Sequence, residues 1–439
     1  MIDISILRKN PELLFESQRR RFQDDQLVRE AIRIDNEWRE LLRKTNNLKS
    51  EKNKLVREIG DMLRKGGSAE DLKEKAKRLD SEIEGHERKL VELERERDEV
   101  LKRIPNIVDQ DAPVGRDESG NRPIYFDGKA TVFVDDMESF LRESEGKMQY
   151  EVTDRRRQSH VDLLVKKDLV NIEAAAITSG SRFYYLLNDL VLLENSIEAF
   201  ALRFLQEKGF SLIEPPFMLN REATDGATDF TAFEDTIYKI EGEDLYLIAT
   251  AEHPIAAFHS NHIFEEGELP RLYGGISPCF RKEAGAHGKD TKGIFRVHQF
   301  NKVEQFAFVL PEESKTYHKM FLENSEEFFR KLEIPFRVVD IATGDLGNLA
   351  ARKFDIEAWY PAQGKFREVV SASNDLDYQA RRLKVRYRTK EGNRYVHTVN
   401  STLVAIQRVL VAITENFQQE DGSILIPRVL RDYMGKEKI

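Results

Sequence analysis

A single cysteine, Cys279, stands among 439 residues, which by counting excludes an intramolecular disulfide framework and a CxxC zinc site. Long apolar runs are missing as well. No stretch approaches the ~20 residues that span a bilayer, and the opening MIDISILRKNPELLF lacks the unbroken apolar core of a secretory signal. The expectation is a soluble, cytoplasmic protein with no membrane contact. Also absent are the GxxxxGK(S/T) phosphate loop, a GxGxxG after a strand, HExxH and GxSxG, so P-loop, dinucleotide, zinc-protease and serine-hydrolase chemistries lose their sequence support. An excess of positive charge is lacking too, with 69 Lys+Arg against 78 Asp+Glu and a net charge of -9. That sum argues against a nucleic-acid partner only weakly, because it hides local fields.

What is present in excess is charge of both signs, at 33% of residues against ~25% for an ordinary globular chain. An extended helical part accounts for it. Asn10-Pro11-Glu12 reads as a helix start, followed by a short helix through Phe22. Leu27, Ala31, Ile34, Trp38, Leu41, Leu48, Leu55, Ile59 and Met62 then alternate by four and three, with Thr45 and Lys52 in the remaining seam positions. After Gly66-Gly67-Ser68 the pattern restarts at Leu72, Ala76, Leu79, Ile83, Leu90, Leu93, Val100 and Ile104, with His86 and Arg97 in the seam. The two stretches match in length, so the chain predicts an antiparallel two-helix coiled coil over about 27–104, roughly 50 Å long. Ser68 is the expected cap of the second helix and Pro105 its stop.

Such a stripe is by default a dimerisation zipper or a spacer. Its charge points further. Arg43, Lys44, Lys49, Lys52, Lys54, Arg57, Arg64 and Lys65 crowd the far end of the first helix against only Glu51, Glu58 and Asp61, while residues 79–104 are acidic. A basic tip on a rod suits a polyanion.

Residues 105–125 are rich in Pro, Gly and Asp without periodicity and read as a linker. Beyond them, helical stretches (187–206, and a closing one at 402–417) intersperse with strands at 211–216, 303–310, 336–341, 366–371 and 385–388. Few βαβ signals occur, so the fold class expected is α+β on a largely antiparallel sheet.

Chemistry-bearing residues gather on the strand-like segments. Ser277–Phe306 reads as a hairpin whose long, glycine- and cation-rich loop covers a ligand, with Arg281 and Glu283 before the loop and Arg296, Phe300 and Glu304 after it. Arginine presents a planar fork of donors that suits phosphate, and a nearby aromatic offers a face to a base. Glu368 and Ser371, three apart at a strand end, suit a magnesium ion held against phosphate oxygens. Arg408 adds a further cation.

Together these segments resemble seryl-tRNA synthetase of the common class II type. The resemblance is carried by the helical arm, Gly209-Phe210 to Pro215-Pro216, Thr250-Ala251-Glu252, Phe280-Arg281-Lys282-Glu283 through His298-Gln299-Phe300 and Glu304, and Ser371-Ala372-Ser373-Asn374 through Tyr378-Gln379-Ala380-Arg381-Arg382. It implies an N-terminal tRNA-binding domain over 1–110, a linker over 111–130 and a class II catalytic domain over 131–439. The implied reaction joins L-serine to tRNA(Ser) through a seryl-adenylate made from ATP, leaving tRNA(Sec) open as a second acceptor. A catalytically silent paralogue that only binds tRNA is the alternative.

By resemblance, Arg281, Glu283 and Arg408 would be catalytic. Thr250, Ala251, Glu252, Arg281, Glu304, Asn400 and Thr402 would bind serine. ATP would be met by Arg281, Lys282, Glu283, Val297, Phe300, Glu368, Val369, Val370, Ser371 and Arg408, with Phe300 and Arg408 sandwiching the adenine. Glu368 and Ser371 would ligate Mg2+, and no zinc is expected. Arg43, Lys44, Lys49, Lys52, Lys54 and Arg57 would contact the long variable arm of tRNA(Ser), bound by a homodimer. Departures from the family pattern are Gln407 and Leu403 where many members have glycine, Ala372 where cysteine is common, and Asp225-Gly226-Ala227-Thr228-Asp229 where a glycine-rich sequence is usual.

Overall fold

The computed structural model describes residues 1–230, 234–283 and 292–439, and the chain divides into two compact units, Met1–Ile107 and Val108–Ile439. In the first unit, α1 (Ile4–Lys9) is capped by Asp3, whose carboxylate accepts from the Ser5 N–H at 2.7 Å. Pro11 opens α2 (Pro11–Arg20) at a position where its missing N–H costs nothing. Then come α3 (Gln26–Arg64) and α4 (Glu70–Arg103), 39 and 34 residues long and packed along their length. Gly66 reverses the chain with a φ of 78°, a conformation that favours glycine. The cap of the second helix differs from expectation. Ala69, not Ser68, holds the N-cap position, and no side chain caps the helix.

The seam is graded. At the root Val28, Ala31, Ile34, Leu93, Val100 and Leu101 are buried, whereas Met62 and Leu63 near the reversal are exposed. Two of the four polar seam residues meet, Thr45 Oγ1 lying 3.3 Å from His86 Nδ1. At the root, Asp35 receives Arg8 at 2.7 Å and Arg97 at 3.2 Å, and both guanidinium groups lie against the Trp38 ring.

In the second unit an eight-stranded sheet is built from β1 (Arg122–Asp127), β2 (Ser211–Ile213), β3 (Arg271–Phe280), β4 (Gln299–Val309), β5 (Phe336–Asp340), β6 (Arg352–Tyr360), β7 (Lys365–Leu376) and β8 (His397–Ala405). Its order is β1-β5-β6-β7-β8-β4-β3-β2, antiparallel throughout except for the β2/β3 edge. Residues 111–130, expected as a linker, thus include the edge strand β1. The main core joins this sheet to α5 (Asp189–Glu207), α7 (Ser314–Lys331) and α9 (Ile406–Asn416), with Phe204, Phe321, Phe328, Val404 and Leu410 inside. The shorter α6 (Glu252–Phe258) and α8 (Tyr378–Leu383) belong to a second cluster with Phe306 and Phe308. No helix among the described residues is long and apolar enough to cross a membrane.

One expected helix is corrected. Residues 402–405 complete strand β8, and the helix begins only at Ile406. Every residue from Thr398 to Ala405 is buried, so this central strand shows no alternation that could separate it from a buried helix. The expected strand at 385–388 is seen as Arg386–Thr389, in a separate three-stranded sheet.

Candidate active site

Strand parity and two bulges build the site. Lys302 and Glu304 on β4 point to one face and Val303 to the other, since successive side chains alternate. A bulge in the β4/β8 pairing skips Leu403 and sets Thr402 directly opposite Glu304. Leu403, one of the departures from the family pattern, is that extra residue and fills the core with 0% exposure. On the other side of Glu304 stands Gly275, where a Cβ would come within 2.3 Å of Ile255 on α6. Glycine there lets the helix carrying Glu252 lie close on the sheet. A second bulge, in β6/β7, places Glu368 opposite Glu357 and Ser371 opposite Asp355.

These features line one cavity of about 520 Å³, within the range of small-molecule sites. Its wall includes Arg281, Glu283, Val297, Phe300, Glu368, Val369, Ser371 and Arg408, together with Thr250, Glu252, Glu304, Asn400 and Thr402. Three expected residues do not reach it. Ala251 packs into the second core cluster and Val370 into the main one. The Lys282 ammonium lies 5.9 Å from the centroid of the Tyr238 ring. The loop expected to cover a ligand falls largely at 284–291, outside the described residues; its flanks β3 and β4 form the expected hairpin.

At one end, Arg281 donates from Nε to the Ala249 carbonyl at 3.2 Å and lies over Phe300. Arg296 faces Glu283 at 3.5 Å. Arg408 lies over Phe295 and donates to the Glu368 carbonyl oxygen at 2.8 Å and to its carboxylate at 3.2 Å. Crowding by protein opposes ionisation of Glu368, yet Arg408, Lys353 and Arg281 hold its carboxyl below the usual range. Gln407 also borders the cavity, with its amide tied back to the protein. Its Oε1 accepts from the Asn301 N–H at 2.8 Å and its Nε2 donates to Glu194 at 2.6 Å.

The other end concentrates acids. Burial and the nearby Glu304 push the Glu252 carboxyl up to about 7, while Gln379 donates to it at 2.7 Å. Burial, with Glu252 adding, raises Asp375 well above its ordinary value; it accepts from Asn400 at 2.8 Å. Burial pushes His253 down to about 3, with Arg281 and Lys302 adding to the effect, so it stays neutral. Arg382 and Gln379 clamp the 225–228 segment from below through the carbonyls of Asp225, Ala227 and Thr228.

Sequence reasoning missed Lys302, Asp375 and Gln379 at this end. Parity was the available signal for the first, since a residue two before Glu304 on a strand shares its face.

Comparison with known proteins decides the family. Residues 1–108 match the seryl-tRNA synthetase N-terminal domain, and residues 235–417 match the tRNA synthetase class II core domain (G, H, P, S and T). A serine–tRNA ligase of Thermoplasma acidophilum is 52% identical over 439 residues, covering 100% of this chain and 99% of that protein. The chain belongs to the seryl-tRNA synthetase family. The Pyrococcus furiosus serine–tRNA ligase is 53% identical to this synthetase, which it covers fully at 97% of its own length. The crystal structure of seryl-tRNA synthetase from Pyrococcus horikoshii complexed with ATP superposes on the synthetase with a TM-score of 0.97 at 51% identity, covering 100% of this chain and 99% of that one. The cytoplasmic serine–tRNA ligase of Naegleria fowleri in complex with AMP gives 0.87 at 39% identity, with 100% and 98% covered. The synthetase is thus a class II aminoacyl-tRNA synthetase, and its sheet is the class II sheet expected from the sequence.

Proposed function

We propose that the protein activates L-serine with ATP to seryl-adenylate and transfers the seryl group to the terminal adenosine of tRNA(Ser). The observation that carries this reading is the convergence of Arg281, Glu304 and Glu368, distant in sequence, on one cavity. The serine carboxylate attacks the α-phosphorus and pyrophosphate leaves. No side-chain nucleophile is needed; positioning and charge neutralisation suffice.

Arg281 bridges carboxylate and α-phosphate, Glu283 holds the adenine edge, and Phe300 and Arg408 take the adenine ring between them. Glu304, Thr250, Thr402 and Asn400 surround the serine side chain and ammonium, with Glu252. Glu368 and Ser371 supply hard oxygen donors that fit Mg2+. Among the described residues there is no cluster of three His, Cys, Asp or Glu that would cage a metal, which suits an ion that keeps phosphate ligands. When bound, Mg2+ would screen the charge of the triphosphate.

We place the long variable arm of tRNA(Ser) against the coiled coil. Lys44, Lys49 and Lys52 pair with Glu40, Glu87 and Asp80. Arg43, Lys54 and Arg57 are exposed and make no salt bridge or hydrogen bond among the described residues, so they carry the phosphate contacts. Charging assays with tRNA(Ser) and tRNA(Sec) transcripts test the second acceptor, and sedimentation tests the homodimer we infer for this cytoplasmic enzyme. Serine-dependent ATP–pyrophosphate exchange tests the central claim. Purified protein that binds tRNA yet shows no exchange would leave only the silent paralogue.

A further inference from the structure

Three acids, Glu252, Glu304 and Asp375, are crowded at the serine end, and their partners differ in kind. Glu252 and Asp375 are held by the neutral amides of Gln379 and Asn400. Glu304 alone has an ammonium ion. Lys302, two residues earlier on the same face of β4, forms an ion pair with Glu304 Oε2, and the two side chains are 8% and 1% exposed. The same Oε2 accepts from Thr250 Oγ1 at 3.3 Å, and the Lys302 ammonium also donates to Thr402 Oγ1 at 3.5 Å. Two donors fill the lone pairs of Oε2. Oε1 makes no hydrogen bond among the described residues.

We propose that Lys302 is a positioning residue for amino-acid selection, fixing the buried Glu304 as an anion with one saturated and one open oxygen, so that only a substrate side chain able to donate a hydrogen bond is held. The proposal rests on the reading that Glu304 meets the serine hydroxyl. A buried carboxylate without a cation takes up a proton rather than remain charged. Protonated, Glu304 would be a weaker acceptor and would lose less when an alanine methyl group faces it. An ionised acceptor left unpaired in a closed site costs far more, and that cost is the discrimination. Lys302 therefore acts on the rejection of alanine through Glu304, without touching the reacting atoms.

Among the described residues, the charged and titratable groups around the Lys302–Glu304 pair are Glu252 from α6, the buried Cys279 thiol of β3 and Arg281 beyond the end of β3, with His253 of α6 facing Lys302 and Arg281. Thr402 on β8 contributes a hydroxyl. None of them replaces Lys302 on Oε2.

The test is ATP–pyrophosphate exchange on full-length Lys302→Met, Lys302→Arg, Glu304→Gln and the Lys302→Met/Glu304→Gln double variant, with serine and alanine, from pH 6 to 9. Lys302→Met is expected to raise the serine KM and to cut the serine-over-alanine ratio about tenfold or more, leaving the KM for ATP within about twofold. Lys302→Arg should recover much of the ratio. The double variant should discriminate no worse than Glu304→Gln alone, since both changes remove the same anion. Equal losses for serine and alanine in Lys302→Met, or fully additive losses in the double variant, would overturn the proposal. If Lys302→Met does not fold, Lys302→Arg against Glu304→Gln decides: an arginine variant that discriminates as poorly as the glutamine variant overturns it. A Glu304→Gln enzyme with an unchanged serine KM would instead overturn the underlying reading of Glu304.

Discussion

Buried charge is handled in opposite ways by the two units. At the root of the coiled coil, burial works against Asp35, yet Arg8 and Arg97 hold its carboxyl below the ordinary range. One acid has two cations there, and both guanidinium groups lie over the Trp38 ring. In the cavity the outcome is reversed: Glu252 and Asp375 accept from the amides of Gln379 and Asn400, and burial drives both carboxyls upward. A charge cluster that serves architecture is neutralised in advance, whereas one that serves a zwitterionic substrate is left short of cations.

The comparison breaks most visibly at Arg281. Replacing it by alanine removes the cation placed for charge that develops during reaction. Serine-dependent exchange should fall about 10²–10³-fold, while the unfolding midpoint in urea stays close to that of the wild type. Asp35→Ala should do the converse. Arg97 keeps Asp98 and Glu94 as partners, but loss of the buried acid it shares with Arg8 is expected to cost about 3 kcal/mol in denaturant unfolding of the first unit, with exchange per folded molecule unchanged; a fall in exchange would make the root cluster part of the catalytic machinery. In the wild type, that contribution of Asp35 is present above the ordinary carboxylate pKa and is lost as pH falls through the lowered folded value.

A smaller effect is expected from the triple variant Arg43→Ala/Lys54→Ala/Arg57→Ala. Its KM for tRNA(Ser) in charging should rise about tenfold at physiological salt, with a shallower salt dependence, and exchange should not change. Smallest is Glu252→Gln. Because the Glu252 carboxyl lies at about 7 in the folded protein against 4.5 ordinarily, the unfolded chain ionises first, and stability declines as pH rises between those values. The glutamine variant should flatten that decline in a pH series of thermal unfolding.

The rod was legible because a solvated coiled coil writes its geometry in one repeating pattern. Even Thr45 and His86, inserted to keep the spacing, proved to face one another. The sheet was harder to read. Between Thr398 and Ala405 both faces are covered, so the period that separates strand from helix vanishes. Arg281, Glu304 and Glu368 were legible as a motif, but the bulges that align Thr402 with Glu304 and Ser371 with Asp355 depend on pairings that no single segment records. Lys302 was missed although it lies two residues before Glu304 on the same strand face, because its burial against that acid is set by the packed sheet.

Gln407 carries a consequence for how this chain can change over generations. Its amide closes a ring with the Asn301 N–H and with Glu194, which also accepts from the Asn301 side chain at 3.0 Å. Burial already raises the Glu194 carboxyl, and the amides of Gln407 and Asn301 oppose that rise. Glycine at 407 alone would strip the acid of a donor, and an apolar residue at 194 alone would orphan the amide. Positions 194 and 407 should therefore drift as a pair, and descendants that lose one are expected to have lost or rebuilt the other.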